Sequence, residues 1–151
     1  MTITKPELID GIRFAAQRAA AATAYVDDWD YRLSCGWTTR ESFAHLADWA
    51  GDIAEVHRMV RGETNWPADL SDFNERRFQP YLGCEPAEIA RVIREGGEKD
   101  VAYIKALSAS ELDRPLSYGP YELPLAELLS METIDHALHH AYDAVLRPPL
   151  K

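Results

Sequence analysis

Hydrophobic residues recur at helical spacing in four long segments of the chain. The first segment opens at Thr4-Lys5-Pro6-Glu7, where the threonine can cap a helix, the proline suits the first helical position and the glutamate can bond back to the cap. The second segment opens on a similar pattern at Thr38-Thr39-Arg40-Glu41. Its apolar stripe predicts one unbroken helix that ends at Gly62.

A third helix is predicted from about Pro86 and a fourth from about Pro124, the latter ending before Pro148-Pro149. Gly96-Gly97 lies in the middle of the third helix and weakens it by roughly 1 kcal/mol per glycine relative to alanine. The glycine pair therefore predicts either a bend or a close contact with another element.

Two irregular stretches connect these segments. Residues 63–85 contain repeated turn and helix-breaking residues around a short predicted helix from Phe73 to Phe78. A connection of this length is often functional and could cover the open end of a site. The segments beside the turn Tyr118-Gly119-Pro120-Tyr121 predict a small hairpin. Because strands do not alternate with the helices, the pattern predicts an all-α fold, an antiparallel four-helix bundle with a long irregular connection between helices 2 and 3.

The composition of the 151-residue chain indicates one domain, residues 1–151, long enough to bury a sizeable core. Its net charge of -9 speaks against a surface built for nucleic acid or anionic lipid, since both recruit lysine and arginine. No apolar run approaches a membrane span, and the first residues lack the apolar core of a signal peptide. Cys35 and Cys84, without CxxC spacing, indicate reduced structural thiols in the first place, with a disulfide or a catalytic thiol as the alternatives. These features predict a cytoplasmic protein that binds neither nucleic acid nor membrane.

Three of the five histidines lie close together in the fourth predicted helix. His136 and His140 are four residues apart, so they share one helix face, one turn apart, and can grip a single metal ion. They continue an inward face that begins with Leu125, and an apolar stripe that turns polar is typical of a functional site. His45, on the second helix, is the leading candidate for a third ligand. Three imidazoles without a fourth protein ligand are typical of catalytic rather than structural zinc, and imidazole also suits nickel, iron and copper.

The same histidines have a plainer interpretation, because an HxxxH pair is a weak signal in a chain with five histidines. They could be ordinary residues of amphipathic helices, hydrogen-bonded or partly exposed. His139 points about 60° away from His136, which predicts a surface position or a contact behind the ligands. His57 lies about 120° round the helix from His45, which predicts a core histidine with a satisfied hydrogen bond.

Carboxylates accompany the candidate ligands. Asp48 follows His45 by three residues and Glu132 lies one turn before His136, so both are candidate catalytic residues that orient ligands or move protons. For Glu132 three interpretations stay open: a fourth ligand, a general base, or a solvated helix residue. The four tryptophans are most simply core or loop anchors, although one or two could wall a pocket.

At these residues the chain resembles the DinB/YfiT-like superfamily of metalloenzymes. The resemblance lies in residues 36–49, Gly-Trp-Thr-Thr-Arg-Glu-Ser-Phe-Ala-His-Leu-Ala-Asp-Trp, and in His136-Ala137-Leu138-His139-His140. Asp72-Phe73-Asn74 and residues 106–113 are also similar, so the resemblance covers nearly the whole chain. It implies a four-helix bundle of the up-up-down-down type. It also implies a divalent metal, zinc or nickel in the first place, held by His45, His136 and His140.

The resemblance implies less about the reaction, since kinship of fold does not fix function. Some relatives are S-transferases or isomerases that use mycothiol, bacillithiol or glutathione, and dimers are common among them. The leading hypothesis is therefore a metal-dependent transferase that acts on a small molecule through a low-molecular-weight thiol, as a homodimer. Three alternatives stay open: a hydrolase with a metal-activated water, a non-catalytic protein that binds or sequesters a metal or small molecule, and a helical domain without a metal.

Overall fold

The computed structural model describes residues 3–118 and 120–146, most of which are helical. In chain order the helices and strands are α1 (Lys5–Ala22), α2 (Thr39–Trp49), α3 (Ile53–Val60), α4 (Leu70–Phe78), α5 (Pro86–Ala106), α6 (Ala109–Leu112), β1 (Pro115–Tyr118), β2 (Tyr121–Pro124), α7 (Leu125–Ser130) and α8 (His136–Leu146). A π-helical segment, Met131–Asp135, joins α7 to α8. The predicted all-α class is confirmed, with one small antiparallel hairpin.

Local sequence signals set most helix starts. In each of three capping boxes, a hydroxyl accepts a hydrogen bond from a backbone N–H three residues on, and the glutamate there accepts one from the cap backbone. The three pairs are Thr4 with Glu7, Thr38 with Glu41, and Ser108 with Glu111. The short helix predicted inside the long connection is present as α4. The predicted hairpin is present as β1 and β2, although Gly119 of its turn and Pro148-Pro149 after the last helix lie outside the described residues.

The prediction of one unbroken second helix is wrong. The helix stops at Trp49 and restarts at Ile53, with Gly51 between them at a φ of 90°. The buried carboxylate of Asp100, on α5, accepts hydrogen bonds from the N–H groups of Gly51 (3.1 Å) and Ile53 (3.0 Å). These bonds satisfy donors that the break leaves without helical partners, so a residue 49 positions away in sequence stabilises the interruption.

The glycine pair of α5 makes a close contact and leaves the helix unbroken. A Cβ atom at Gly96 would lie 2.4 Å from the backbone carbon of Ala50, and one at Gly97 would lie 2.5 Å from the Cβ of Ala16. The absence of side chains at these positions therefore lets α1 and the end of α2 approach α5 directly. This packing places the C-terminal end of α2 against the middle of α5. The position of α2, and with it that of His45, is thereby set by contacts with α5.

The directions of the helices differ from the up-up-down-down expectation. Lys5 at the start of α1 donates to the backbone oxygens of Lys105 and Leu107 at the end of α5, so these helices are antiparallel. Contacts of Ser42 with His140 and of His45 with His136 show that α2 and α8 are antiparallel as well. Arg40, near the start of α2, donates to the backbone oxygen of Leu82, just before α5. Ala50, after the end of α2, packs on Gly96 in the middle of α5, so α2 and α5 run in the same direction. The order of α1, α2, α5 and α8 is thus up, down, down, up, and the long connection that contains α4 returns the chain along the bundle.

Two buried apolar clusters fill the bundle. One joins the start of α1 with α3, the end of α5 and α7, where the predicted inward residues Leu125, Leu128 and Leu129 are fully buried. The other joins the end of α1 with α2, the start of α5 and α8. None of the helices in residues 3–118 and 120–146 combines the length and apolar character that a membrane span requires.

Candidate metal centre

The structure brings His45, His136 and His140 together between α2 and α8. One ring nitrogen from each of the three lies within 4.8 Å of the others, and Nε2 of His45 is 2.9 Å from Nε2 of His136. His45 is buried, whereas His136 and His140 are half-buried, so the cluster is accessible from the α8 side. The π-helical segment ends immediately before His136, and such interruptions occur frequently at functional sites.

Burial keeps all three imidazoles neutral. It lowers the pKa of His45 to about 2, with further lowering from His136, His140 and the Arg77 guanidinium. It lowers the pKa of His140 to about 3 and that of His136 to about 4, and neighbouring histidines add to both effects. Neutral imidazole is the form that binds a metal ion, so none of the three rings has to lose a positive charge at neutral pH before it binds one.

Ser42 and Trp37 hold two of the rings in place. The hydroxyl of Ser42, fully buried one turn before His45, lies 3.2 Å from Nδ1 of His140, which leaves Nε2 of that ring for a metal. Trp37 stacks on His140 with ring centroids 6.0 Å apart and lies 5.0 Å from the ring of His45. Trp37 therefore forms part of the wall of the site. The sequence analysis had left this role open for one or two of the four tryptophans. Sequence analysis missed Ser42, although its position one turn before His45 on the same helix is a usable signal.

The other two histidines lie outside the cluster. The side chain of His139 is 70% exposed and lies 3.2 Å from the carboxylate of Asp143. His57 is buried, and its Nδ1 lies 2.8 Å from the hydroxyl of Tyr103. Both positions agree with the sequence-based expectations, and they make His139 a natural control for substitutions at the cluster.

Asp48 contacts an arginine instead of a histidine of the cluster. Its carboxylate accepts a hydrogen bond of 2.7 Å from Nε of Arg77, on α4, while the guanidinium also binds Asp52. Arg77 lies over the rings of Trp49 and Phe73, at 4.5 and 5.4 Å from their centroids. Burial raises the pKa of Asp48, although Arg77 opposes this effect. Asp48 therefore fastens α4 to α2, and its predicted catalytic role stays a prediction.

The irregular connection reaches the cluster through α4. Phe78 is fully buried and packs edge-on against Trp37, the ring that contacts His45 and His140, at 5.3 Å between centroids. Asn74 accepts a hydrogen bond of 3.1 Å from the indole N–H of Trp49. The connection therefore contacts two of the aromatic rings around the cluster, and its role as a cover of the open end of the site stays a prediction.

Glu132 lies beside the cluster and forms a hydrogen bond with a tyrosine of the hairpin. Its carboxylate accepts a hydrogen bond of 2.6 Å from the hydroxyl of Tyr118, at the end of β1. Burial and this carboxylate raise the pKa of Tyr118 to about 12, so the phenol keeps its proton and remains a donor. Glu132 and His136 line the same cavity, together with Trp49 and Asp100. Sequence analysis missed Tyr118, because its contact with Glu132 depends on where the hairpin packs.

The residues present fit a divalent metal ion. Three neutral imidazoles converge without a fourth ligand among the clusters of the described residues, and imidazole is a common metal ligand. The buried Nδ1 of His45 has no hydrogen-bond partner in the described part of the chain, so the contact of this ring with the cluster is made by Nε2.

Comparisons with known proteins address the fold. The sequence matches no protein-family model and no curated protein. Among solved structures, the chain is similar to YfiT from Bacillus subtilis, a probable metal-dependent hydrolase with an unusual four-helix bundle topology. The TM-score is 0.71 and the sequence identity 19%, and the match covers 94% of this chain and 84% of that chain. It is similar to DfsB, a sibling lethal factor precursor, with a TM-score of 0.70, 16% identity and coverage of 95% and 94%.

A further similar structure is that of the colibactin self-resistance protein ClbS in complex with a double-stranded DNA. The TM-score is 0.69 and the identity 15%, and 98% of each chain is covered. At these identities the similarity establishes the fold and leaves ligands and reactions to be argued from the site. The fold that the resemblance implied is therefore confirmed: this chain is a four-helix bundle similar to that of YfiT.

Proposed function

We propose that the protein is a divalent-metal-dependent enzyme whose metal ligands are His45, His136 and His140. The observation that carries this proposal is the convergence of three neutral, mostly buried ring nitrogens within 4.8 Å of one another. Burying three imidazoles costs desolvation and interrupts an apolar core, a cost that a metal-binding function explains. Zinc and nickel are the preferred ions for such a donor set.

Among metal-dependent reactions, hydrolysis has the best structural support. A divalent ion at this site supplies a Lewis acid and lowers the pKa of bound water. Glu132 lines the cavity beside His136, and its carboxylate can accept a proton from a nucleophile there. Tyr118 orients that carboxylate by its hydrogen bond, and Ser42 orients His140. YfiT, whose fold this chain shares, is itself a probable metal-dependent hydrolase.

Thiol-dependent transfer is the second candidate. It is favoured by the same open donor set, since the position that binds water could equally bind a thiol sulfur and stabilise it as a thiolate. In this alternative Asp48 and Glu132 act as orienting or proton-transferring groups. Binding of a ligand without turnover would instead indicate a sequestering protein.

The first test is metal content, measured by elemental analysis on protein prepared without a histidine tag. We expect one divalent ion per chain in the wild type and loss of the ion in His45→Ala and in His136→Ala. The exposed His139→Ala is the matched control and should keep the ion. Absence of metal from the wild type after incubation with zinc and with nickel would refute the proposal.

The second test separates the two reactions. Ester, amide and phosphoester substrates are assayed with the metal-loaded enzyme, with Glu132→Gln expected to lower turnover about 100-fold or more if Glu132 is the base. Low-molecular-weight thiols are added to cobalt-substituted protein, and a change in the metal-centred absorption would favour the transferase. Metal-dependent hydrolysis that survives Glu132→Gln unchanged would exclude Glu132 as the base.

A further inference from the structure

A partly enclosed cavity lies directly beside His136, between α1, α2, α5 and the π-helical segment. About 50 Å³ of it is accessible to the centres of water molecules, which is room for roughly three to five waters or a ligand group of that size. Most of its wall is apolar and includes Ile12, Ala15, Leu46 and Ile93. The cavity is therefore a shaped space next to a candidate metal ligand rather than a gap on the open surface.

The cavity is open at one edge. Trp49, Glu132, Thr133 and His136 all line it and are only half-buried, so a ligand can enter from the same side on which the histidine cluster is exposed. Small residues create the space, because Ala15 presents only a methyl group to it. A ligand at the cluster can thus place one end in this cavity.

The charged groups on the wall have one sign. Asp100 and Glu132 contribute carboxylates, whereas no lysine or arginine is among the described residues that line the cavity. The hydroxyl of Thr133 donates a hydrogen bond of 2.6 Å to the backbone oxygen of Leu129. A ligand can therefore only donate a hydrogen bond to this hydroxyl. An anionic ligand group in the cavity would lose its hydration and meet two carboxylates without a compensating lysine or arginine among these lining residues.

We infer that this cavity binds one end of the substrate and selects a small hydrogen-bond donor without negative charge, such as an amide or a primary amine, against a carboxylate. The selectivity deepens the function proposed above and rests on it, since His136 belongs to both the cluster and the cavity. The ligand end is limited to about three or four non-hydrogen atoms by the size of the space.

The test compares three probes of similar size and different charge: acetamide, ethylammonium and acetate. Each is titrated into the metal-free full chain, so that no ion can bind the acetate, while NMR follows the methyl groups of Ile12, Ile93 and Thr133. Saturable shifts are expected for acetamide and ethylammonium, and acetate should bind at least about 10-fold more weakly. Acetate binding as tightly as acetamide, or no shift with any probe, would overturn the inference.

Variants identify the cause of the selectivity. Glu132→Gln should strengthen acetate binding towards that of acetamide, because it removes one of the two charges. Ala15→Val should abolish the shifts for all probes by filling the cavity, and the exposed Ala21→Val on the same helix is the matched control. An unchanged preference in Glu132→Gln would contradict the electrostatic explanation.

The two proposals can fail separately. If zinc does not bind but the probes still show the expected order, the metal-dependent function fails and the selectivity of the cavity stands. If zinc binds with the expected histidine dependence while acetate and acetamide bind equally, the function stands and the selectivity fails.

Discussion

Ser42 is a positioning residue at the scale of a single side chain. With the imidazole proton on Nδ1 of His140, that N–H donates to the Ser42 hydroxyl and Nε2 keeps its lone pair for a metal. We expect Ser42→Ala to lower zinc affinity about 10- to 100-fold, because partners behind a ligand fix its tautomer and ring orientation. Competition with a chromogenic chelator measures the affinity.

Ser42→Thr retains the hydroxyl and serves as the control for this substitution. It should bind zinc more tightly than Ser42→Ala does, provided that thermal unfolding shows both variants folded. Equal affinity of the wild type and Ser42→Ala would show that the 3.2 Å contact has no effect on the metal ligand.

At the scale of elements, Arg77 attaches α4 to α2. The guanidinium binds Asp48 and Asp52 and lies over two aromatic rings, so its removal leaves the half-buried Asp48 without a cation. We expect Arg77→Met to destabilise the protein by about 2 kcal/mol, less than for a fully buried pair because the side chain retains some exposure. Urea unfolding measures the change, and faster release of zinc to a chelator would report opening of α4.

The neighbouring Arg76 is the matched control for Arg77. Its side chain is 72% exposed and, within the described part of the chain, forms an ion pair with the exposed Asp72, one turn before it. Arg76→Met should therefore change the free energy of unfolding by less than about 0.5 kcal/mol and leave zinc release unchanged. Equal effects of the two substitutions would contradict a specific role for the Arg77 contacts.

What the sequence could predict depends on how local each signal is. The capping boxes at Thr4 and Thr38 act within four residues, and the sequence predicted these helix starts correctly. The interruption at Gly51 depends on a carboxylate and a glycine of α5, about 45 to 49 residues away, so the apolar stripe of α2 and α3 gave no indication of it.

The same distinction applies to the site. The four-residue spacing of His136 and His140 is a local signal, whereas His45 comes from a separate helix and was a candidate that the resemblance then supported. The partners of the site could not be predicted in this way, because the contact of Tyr118 with Glu132 and that of Arg77 with Asp48 form only when distant elements pack. Sequence proximity suggested Asp48 as a partner of the histidines, but the nearby arginine of α4 competes for it.

At the scale of the whole molecule, Asp100 links stability to pH. Burial raises the pKa of its carboxyl from 3.8 to about 6, although the N–H groups of Ile53 and Gly51 oppose the change. The folded state therefore binds more protons than the unfolded state between these two pH values. The stability contributed by the protonated carboxyl is fully present below pH 3.8 and is lost as the pH rises through about 6.

Asp100→Asn removes this titration, because an amide does not ionise. We expect the free energy of unfolding of the wild type, relative to that of Asp100→Asn, to fall by roughly 2 to 3 kcal/mol between pH 4 and pH 7. Urea unfolding across this range measures the difference, and Asp10→Asn controls for the loss of an exposed carboxylate. A constant difference would show that the carboxylate is well solvated in the folded protein. Because the same carboxylate stabilises the break after α2 and lines the cavity beside His136, that result would also weaken the charge selectivity inferred for the cavity.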